Sequence, residues 1–459
     1  MQLSIFVAAS EVPDRVALIT ETARFTYGEL AGLCESRAAA LAHSRAPLLL
    51  QPGLDLDSLL WLYAAAATGT PFLPLHAQAT PRERAAARAL TGAEDPPPPE
   101  LAIAPPNHEP KVDPEAPFSL MLTSGSTGPS KIVVLSRRAV LASAAGSQHN
   151  MGLQDDECWL LCLPLSHVAG LSIIVRMLAA RRTVVLFAPS AAGLLTRVRD
   201  LGRQIHEHRV TLVSLVPIVL ERLLLDGFQR PVALRAVLLG GAGCTPDLAE
   251  QARRRDIPLI TSYGLTETGS QITARHYAER NAPLAQRGDR VSSGHPLAHV
   301  EIKLVGERIA IRASSLFSGY AGTTTPAITA DGWFVTSDRG VLGPAGELYV
   351  LGRTDLVIIT GGEKVDPEEV ERALRTLPQV RDACVFGLPS GEFGQRVVAV
   401  VVPMPTAPDL TLEHLTVQLD LQLSRFKIPR ALVTAAALPL TASGKLDRQA
   451  CVTEFGRWF

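Results

Sequence analysis

Phe118-Ser-Leu-Met-Leu-Thr-Ser-Gly-Ser-Thr-Gly-Pro-Ser-Lys131 sets a glycine- and hydroxyl-rich loop directly behind an apolar, strand-like run, and Ile132-Val-Val-Leu135 follows it. A glycine-rich run after a strand can wrap its backbone N–H groups around phosphate oxygens. The hydroxyls of Thr123, Ser124, Ser126 and Thr127 add donors, Gly125 and Gly128 supply the close approach, and Lys131 brings a positive charge. It is not a Walker A loop. Counting from Gly125, Ser130 stands at the second glycine position, and Ile132 follows Lys131 where Ser or Thr is required. A flexible Ser/Gly linker is the competing reading, and the apolar segments on both sides argue against it.

Further apolar runs come after it: Cys158–Leu163, Thr183–Phe187, Leu212–Val216, Ala236–Leu239 and Pro258–Ile260. Like Phe118–Leu122, each reads as a strand followed by turn residues and a helix, which argues for a mostly parallel α/β sheet. Leu171–Leu178, interrupted by Arg176, reads as a buried helix. Upstream, residues 26–42 and 58–68 read as helices, the first capped at Thr26, with a short buried strand in 46–51 between them. The proline-dense stretch 92–117 reads as an extended connector. From about residue 300 short strands and tight turns (Val300–Val305, Arg308–Arg312, Gly346–Leu351) suggest a small β-rich subdomain. A last segment, from Asp355, carries a helix at Pro367–Thr376 and strands near 380–387 and 396–402. The expected fold is α/β: a large N-terminal domain, 1–353, of α/β subdomains plus a small β-rich one, then a small α+β C-terminal domain, 354–459.

Bulk composition narrows the function. With 459 residues, 47% hydrophobic and 19% charged, the chain can bury the cores of two to four domains or subdomains. A net charge of −1 argues against nucleic acid or an anionic lipid surface as partner. Six scattered cysteines with no CxxC pair predict neither a zinc site nor a disulfide framework. The start lacks a basic n-region, and no apolar stretch reaches the roughly 20 residues a membrane span needs. A soluble cytoplasmic protein is expected, with monomer and homodimer both left open.

Positive charge is written almost wholly as arginine: six lysines stand against thirty-eight arginines. Lys131, Lys364 and Lys445 fall in glycine-rich or glycine-adjacent loops. A lysine kept there suits phosphate or carboxylate chemistry, where a compact ammonium on a flexible stem is wanted; codon bias is the plain alternative. Ser262-Tyr-Gly-Leu-Thr-Glu-Thr-Gly-Ser270 follows another predicted strand and pairs a hydroxyl with a carboxylate, a set suited to a phosphate and Mg²⁺. Thr-Glu also starts ordinary helices. Thr336-Ser-Asp338 and Gly352-Arg353-Thr-Asp355 offer a carboxylate and an arginine for a ribose, or equally a surface ion pair.

In order and spacing these segments resemble the acyl-adenylate-forming family of acyl-CoA synthetases, luciferases and peptide-synthetase adenylation domains, over essentially the whole chain. The resemblance implies that Thr123 to Lys131 is the phosphate loop and that Gly240-Gly241-Ala242 packs on adenine. Tyr263-Gly264-Leu-Thr266-Glu267 would be the AMP and magnesium segment, with Thr266 on the α-phosphate and Glu267 on Mg²⁺. Asp338 and Arg353 would hold ribose, Asp355 would be the hinge of a mobile C-terminal domain, and Lys445, in Pro439-Leu-Thr-Ala-Ser-Gly-Lys-Leu-Asp-Arg448, would be the catalytic lysine. His167 would line the acyl pocket with Ser270 and Gln271. Arg176 is a candidate partner for a second substrate carboxylate, with a structural ion pair as the competing reading. Two departures stand out: Ser337 replaces the usual glycine before Asp338, and Pro-Ser precedes Lys131. Neither removes a charged group.

The activity implied is ATP-dependent formation of an acyl-AMP from a carboxylic acid, with Mg²⁺, followed by transfer to coenzyme A. Within the family, Leu163 to Ser172, Leu238 to Gly241 and Tyr263 to Ile272 look most like the o-succinylbenzoate–CoA ligases of menaquinone synthesis. Aryl- or medium-chain acyl-CoA synthetases and stand-alone adenylation enzymes that load a carrier protein are the alternatives. A catalytically dead nucleotide-binding regulator would be expected to have broken motifs, which this chain does not show.

Overall fold

The computed structural model describes residues 2–42, 44–77, 79–98, 113–123, 131–188, 194–391, 393–407, 410–441 and 444–459. Among these residues, the largest sheet has nine strands. Its centre runs parallel in the order Leu259–Leu265, Ala236–Leu239, Leu212–Leu215, Cys158–Leu161, Thr183–Leu186 and Val16–Ile19. Antiparallel strands close both edges: Ser270–Ala274 and His295–Pro296 on one side, Arg24–Thr26 on the other. Cys158-Trp-Leu-Leu161, Leu212-Val-Ser-Leu215 and Ala236-Val-Leu-Leu239 are buried at every position. That is the pattern of parallel strands covered on both faces. Apolar cores on the two faces, one around Trp159 and Leu161 and the other around Leu160 and Val213, account for it.

Capping fixes the helices that bear on this sheet. Thr26 accepts from the Glu29 amide while the Glu29 carboxylate takes the Thr26 amide, so Tyr27–Leu41 begins with a capping box. Val168–Ala180, the buried helix that carries Arg176, starts at His167 without a side-chain cap.

A second sheet is ordered Gly319–Tyr320, Lys131–Ser136, Pro117–Thr123, Phe72–Pro74 and Leu48–Leu50. Here the structure corrects the expected alternation. Pro117–Thr123 is followed by an antiparallel partner, with Thr123 opposite Lys131, and not by a helix. Leu259–Leu265 likewise passes through one turn at Thr266–Thr268 into the antiparallel strand Ser270–Ala274. A short apolar run buries equally well beside either kind of neighbour, so its sequence does not say which follows. Ser124–Ser130 and residues 99–112 of the proline-rich connector lie outside the described residues. A four-stranded antiparallel sheet (Val300–Val305, Arg308–Ala313, Phe334–Leu342, Leu348–Arg353) forms the β-rich subdomain.

After Thr354–Leu356 the chain builds its own sheet from Ile358–Thr360, Glu363–Val365, Val380–Ser390, Gly394–Pro403 and Ala431–Thr434. The helix Pro367–Arg375 closes a separate apolar core against it. Arg372 of that helix pairs with Asp289 of the N-terminal part, and Asp366 lies 3.6 Å from Arg290, so ion pairs cross between the two. No helix among the described residues is long and apolar enough to cross a membrane.

Candidate active site

The strand Leu259–Leu265 ends in a close backbone approach. A Cβ on Gly264 would lie 2.0 Å from the Ser270 carbonyl oxygen, so only glycine lets the returning strand pair there. The turn between them, Thr266–Thr268, therefore projects from the carboxyl end of a parallel strand, where open α/β sheets bind ligands. Glu267 is fixed twice: its carbonyl accepts from the Phe317 amide at 2.9 Å, and its Oε1 accepts from the Tyr320 hydroxyl at 2.9 Å. Tyr320 belongs to the second sheet, and the Lys131 ammonium sits 4.8 Å from its ring centroid. Thr123 closes the base of the loop by donating to the Lys131 carbonyl at 3.1 Å. Lys131 and Glu267 thus meet at Tyr320, with Thr123 tied to the Lys131 backbone, while Ser124, Gly125, Ser126, Thr127 and Gly128 lie outside the described residues.

Asp338 and Arg353 face each other across neighbouring strands. Asp338 is buried, accepts from the Tyr263 hydroxyl at 2.6 Å and lies 3.8 Å from Arg353 Nη1. Burial lifts its carboxyl above the usual range, while Tyr263 and Arg353 oppose the lift. The Tyr263 phenol is held well above its ordinary value by the same burial and by Asp338. Arg353 also grips both oxygens of Asp355, at 2.8 and 2.7 Å. A Mg²⁺ that arrives with phosphates needs only one or two protein carboxylates. Glu267 fits that need, since Tyr320 engages its Oε1 alone; no cluster of three or more ligating side chains exists among the described residues.

Lys445 enters from the C-terminal domain. It follows Gly444, whose φ of +79° suits glycine. A Cβ on Gly444 would touch Val216 and Ile218, and one on Gly241 would lie 2.8 Å from Lys445 Cε and 3.3 Å from its Nζ. The residue is exposed, yet protein hems in its ammonium enough that desolvation draws its pKa below the usual lysine value. Asp338 opposes that shift, which sets the ammonium in the field of that carboxylate. Gly240 packs against the Ser262 hydroxyl, and Gly241 and Ala242 are exposed beside Lys445.

His167, Arg176 and Gln271 each keep unspent hydrogen-bonding capacity among the described residues. His167 has a buried Nε2 with no hydrogen-bond partner among the described residues, and desolvation, then Lys445 and His76, pull its pKa down to about 4. Arg176 is 1% exposed, its Nη2 donates to Ser270 Oγ at 3.0 Å and its guanidinium lies 5.4 Å from the Trp159 ring centroid. No carboxylate pairs with it among the described residues, its Nε is unpartnered, and desolvation lowers its pKa to about 9. The structural ion pair weighed for Arg176 is therefore absent among the described residues. Gln271 accepts from Ser147 at 3.2 Å, and its buried Nε2 has no hydrogen-bond partner among the described residues. Ser270 itself holds a φ of +123°, a strained conformation for a residue with a side chain.

Tyr320 is the site residue that the sequence reading missed. Its segment, Ser318-Gly-Tyr-Ala-Gly322, carries no charge, and the pairing of Gly319–Tyr320 with Lys131–Ser136, together with the Phe317 amide on the Glu267 carbonyl, brings it to Glu267.

Residues 86–321 match the AMP-binding enzyme family, and residues 369–445 match the AMP-binding enzyme C-terminal domain. The chain is 34% identical over 358 residues to the 2-succinylbenzoate–CoA ligase of Enterococcus faecalis, covering 74% of this chain and 70% of that one. It superimposes on the o-succinylbenzoate CoA synthetase of Bacillus subtilis in complex with the acyl-adenylate intermediate OSB-AMP, with a TM-score of 0.85, 28% identity and 98% of both chains covered. Against that enzyme with ATP and a magnesium ion the TM-score is 0.82, at 28% identity over 97% of this chain and 98% of that one. Against a double mutant of it bound with the product analogue OSB-NCoA the TM-score is 0.70, at 28% identity over 98% of both chains.

Proposed function

Because the chain belongs to the AMP-binding enzyme family, we propose that it is an ATP-dependent acid–CoA ligase that converts 2-succinylbenzoate to 2-succinylbenzoyl-CoA, the menaquinone-pathway reaction of its relatives. A carboxylate oxygen of the acid attacks the α-phosphorus of ATP, the bond to the β-phosphate breaks, and pyrophosphate leaves. The thiol of coenzyme A then attacks the acyl carbon, gives up its proton, and AMP leaves. Both steps gather negative charge on oxygens, so the protein's task is preorganised positive charge in a dry cleft.

The residues divide that task. Lys445 bridges the substrate carboxylate and the α-phosphate, beside Gly241. Thr266 donates to the α-phosphate, while Lys131 and the loop begun by Thr123 hold the leaving phosphates. Asp338 accepts from the ribose hydroxyls, with Arg353 beside it. Glu267 would hold Mg²⁺, which supplies charge neutralisation on the phosphates. His167, neutral in the working pH range, lines the way into the acyl pocket without adding a charge there.

The observation that carries the substrate assignment is Arg176. A buried guanidinium with no carboxylate partner is costly, and a ligand carboxylate would relieve it. Gln271 Nε2 offers a second unused donor on the same strand as Ser270. A monocarboxylate spends its one charge at Lys445 and leaves Arg176 unanswered, which disfavours benzoate-like and medium-chain acids. We read residues 354–459 as the moving unit, turning about Asp355 between the two steps. The lower TM-score against the OSB-NCoA complex supports that reading. A reaction drawing on ATP and coenzyme A points to the cytoplasm.

AMP release from ATP should be measured with 2-succinylbenzoate, benzoate, coumarate and octanoate, with and without coenzyme A. Preference for 2-succinylbenzoate and a requirement for coenzyme A support the proposal. Preference for a monoacid, or AMP release indifferent to coenzyme A, would overturn it and favour an aryl or acyl synthetase or a carrier-loading enzyme.

A further inference from the structure

The turn that presents Lys445 is anchored by a buried pair that belongs wholly to the C-terminal domain. Its two legs are pinned to each other: Leu440 bridges Leu446, the Asp447 amide donates to the Pro439 carbonyl at 3.0 Å, and the Thr441 amide donates to the Lys445 carbonyl at 2.7 Å. The Lys445 amide returns a bond to Thr441 Oγ1 at 3.1 Å. These bonds hold the two legs together and leave open where Lys445 points.

Direction comes from the next residues. Asp447 caps the helix Arg448–Phe455 by accepting from the Ala450 amide at 2.9 Å, so Arg448 is the helix's first residue, three beyond Lys445. Its guanidinium forks onto Glu371, with Nη2 2.7 Å from Oε2 and Nη1 on Oε1. Nη1 also donates to the Val385 carbonyl at 3.1 Å, while the Val385 amide donates to Glu371 Oε1 at 2.7 Å. Glu371 is 2% exposed, lies on the helix Pro367–Arg375, and has every described partner inside the C-terminal domain. Three elements (that helix, the strand Val380–Ser390 and the helix Arg448–Phe455) are thus locked at one point beside the turn. A planar fork fixes orientation as well as distance, which a single contact would not.

We propose that Glu371 is a positioning residue for acyl-AMP formation, acting through Arg448 to aim Lys445 at the reacting phosphate. The inference rests on the adenylation role read for Lys445 above. It separates the two half-reactions, because the aim of Lys445 serves only the first.

The test is a double-mutant cycle in the full chain, measuring single-turnover acyl-AMP formation from ATP and 2-succinylbenzoate. Lys445→Ala, Glu371→Gln and their combination are compared. Arg448→Lys runs as a second arm that keeps the buried positive charge and loses the fork. Glu371→Gln and Arg448→Lys should each slow acyl-AMP formation about 10- to 100-fold, the scale of a misplaced reacting group, with KM for ATP within about twofold. Neither should slow the Lys445→Ala enzyme further, and thioester formation from pre-made acyl-AMP should stay within about twofold of wild type. Equal slowing of both half-reactions, or undiminished slowing in the Lys445→Ala background, would mark a merely structural pair and overturn the proposal. If Lys445→Ala alone leaves adenylation intact, the reading of Lys445 fails, and with it the basis of the inference. A slow Lys445→Ala beside normal Glu371→Gln and Arg448→Lys removes only the positioning role.

Discussion

Lys445 lies across Gly241 so closely that a single added methyl would sit 2.8 Å from its Cε. Gly241 also holds a φ of +80°, which costs a residue with a Cβ about 1 kcal/mol. Gly241→Ala should therefore displace the ammonium and slow acyl-AMP formation about tenfold or more. The same change in the Lys445→Ala background should cost far less, because the contact it disturbs is already gone. Rapid-quench measurement of pyrophosphate in both backgrounds checks this.

Arg176→Met keeps the volume beside Trp159 and removes the charge. A charge-assisted hydrogen bond is worth roughly 1.5–3 kcal/mol, so KM for 2-succinylbenzoate should rise about 10- to 100-fold. Benzoate, which has no second carboxylate, should be affected much less. The ratio of kcat/KM for the two acids is the readout, and an equal loss on both would remove the assigned contact.

Asp338 gives a pH prediction with a definite sign. Its carboxyl titrates above the usual range because it is buried, with the Tyr263 hydrogen bond pulling the other way. Ribose hydroxyls need the carboxylate form, so KM for ATP should climb as pH falls through that raised pKa. Tyr263→Phe removes one stabiliser of the charge and should move the acid limb to higher pH. The stability linkage runs in the opposite sense: burial favours the neutral carboxyl, so its contribution to stability is present at low pH and is lost as pH rises through the folded pKa. ATP titrations across the acid range in wild type and Tyr263→Phe decide the point.

Asp355 occupies the turn Thr354–Leu356 between the domains, held by the Arg353 fork. Proline there fixes φ. Asp355→Pro should retain most acyl-AMP formation and lose most thioester formation, assayed separately with isolated acyl-AMP. Unchanged overall turnover would count against rotation at this residue.

What the sequence made legible, and what it hid, follows from the range of the interactions. Thr26 with Glu29, or Gly444 ahead of Lys445, act within a few residues, so their roles can be read along the chain. The parallel centre of the sheet was likewise marked by runs apolar at every position, such as Cys158–Leu161. The hairpin joining Thr123 to Lys131 was not, because burial alone does not distinguish an antiparallel neighbour. Tyr320 meeting Glu267 depends on pairing across 53 residues, and Glu371 meeting Arg448 on pairing across 77. No local pattern announces such contacts. Arg176 lay between: its place inside an apolar helix was visible, and its lack of a carboxylate partner needed the fold.

Whether one ammonium from the C-terminal domain activates ATP toward the acid is decided by Lys445→Ala assayed in each half-reaction on its own. Acyl-AMP formation should fall about 10²- to 10³-fold, as for loss of one preorganised donor, while coenzyme A still discharges pre-made acyl-AMP at close to the wild-type rate. A similar fall in both halves, or none in the first, would contradict the account.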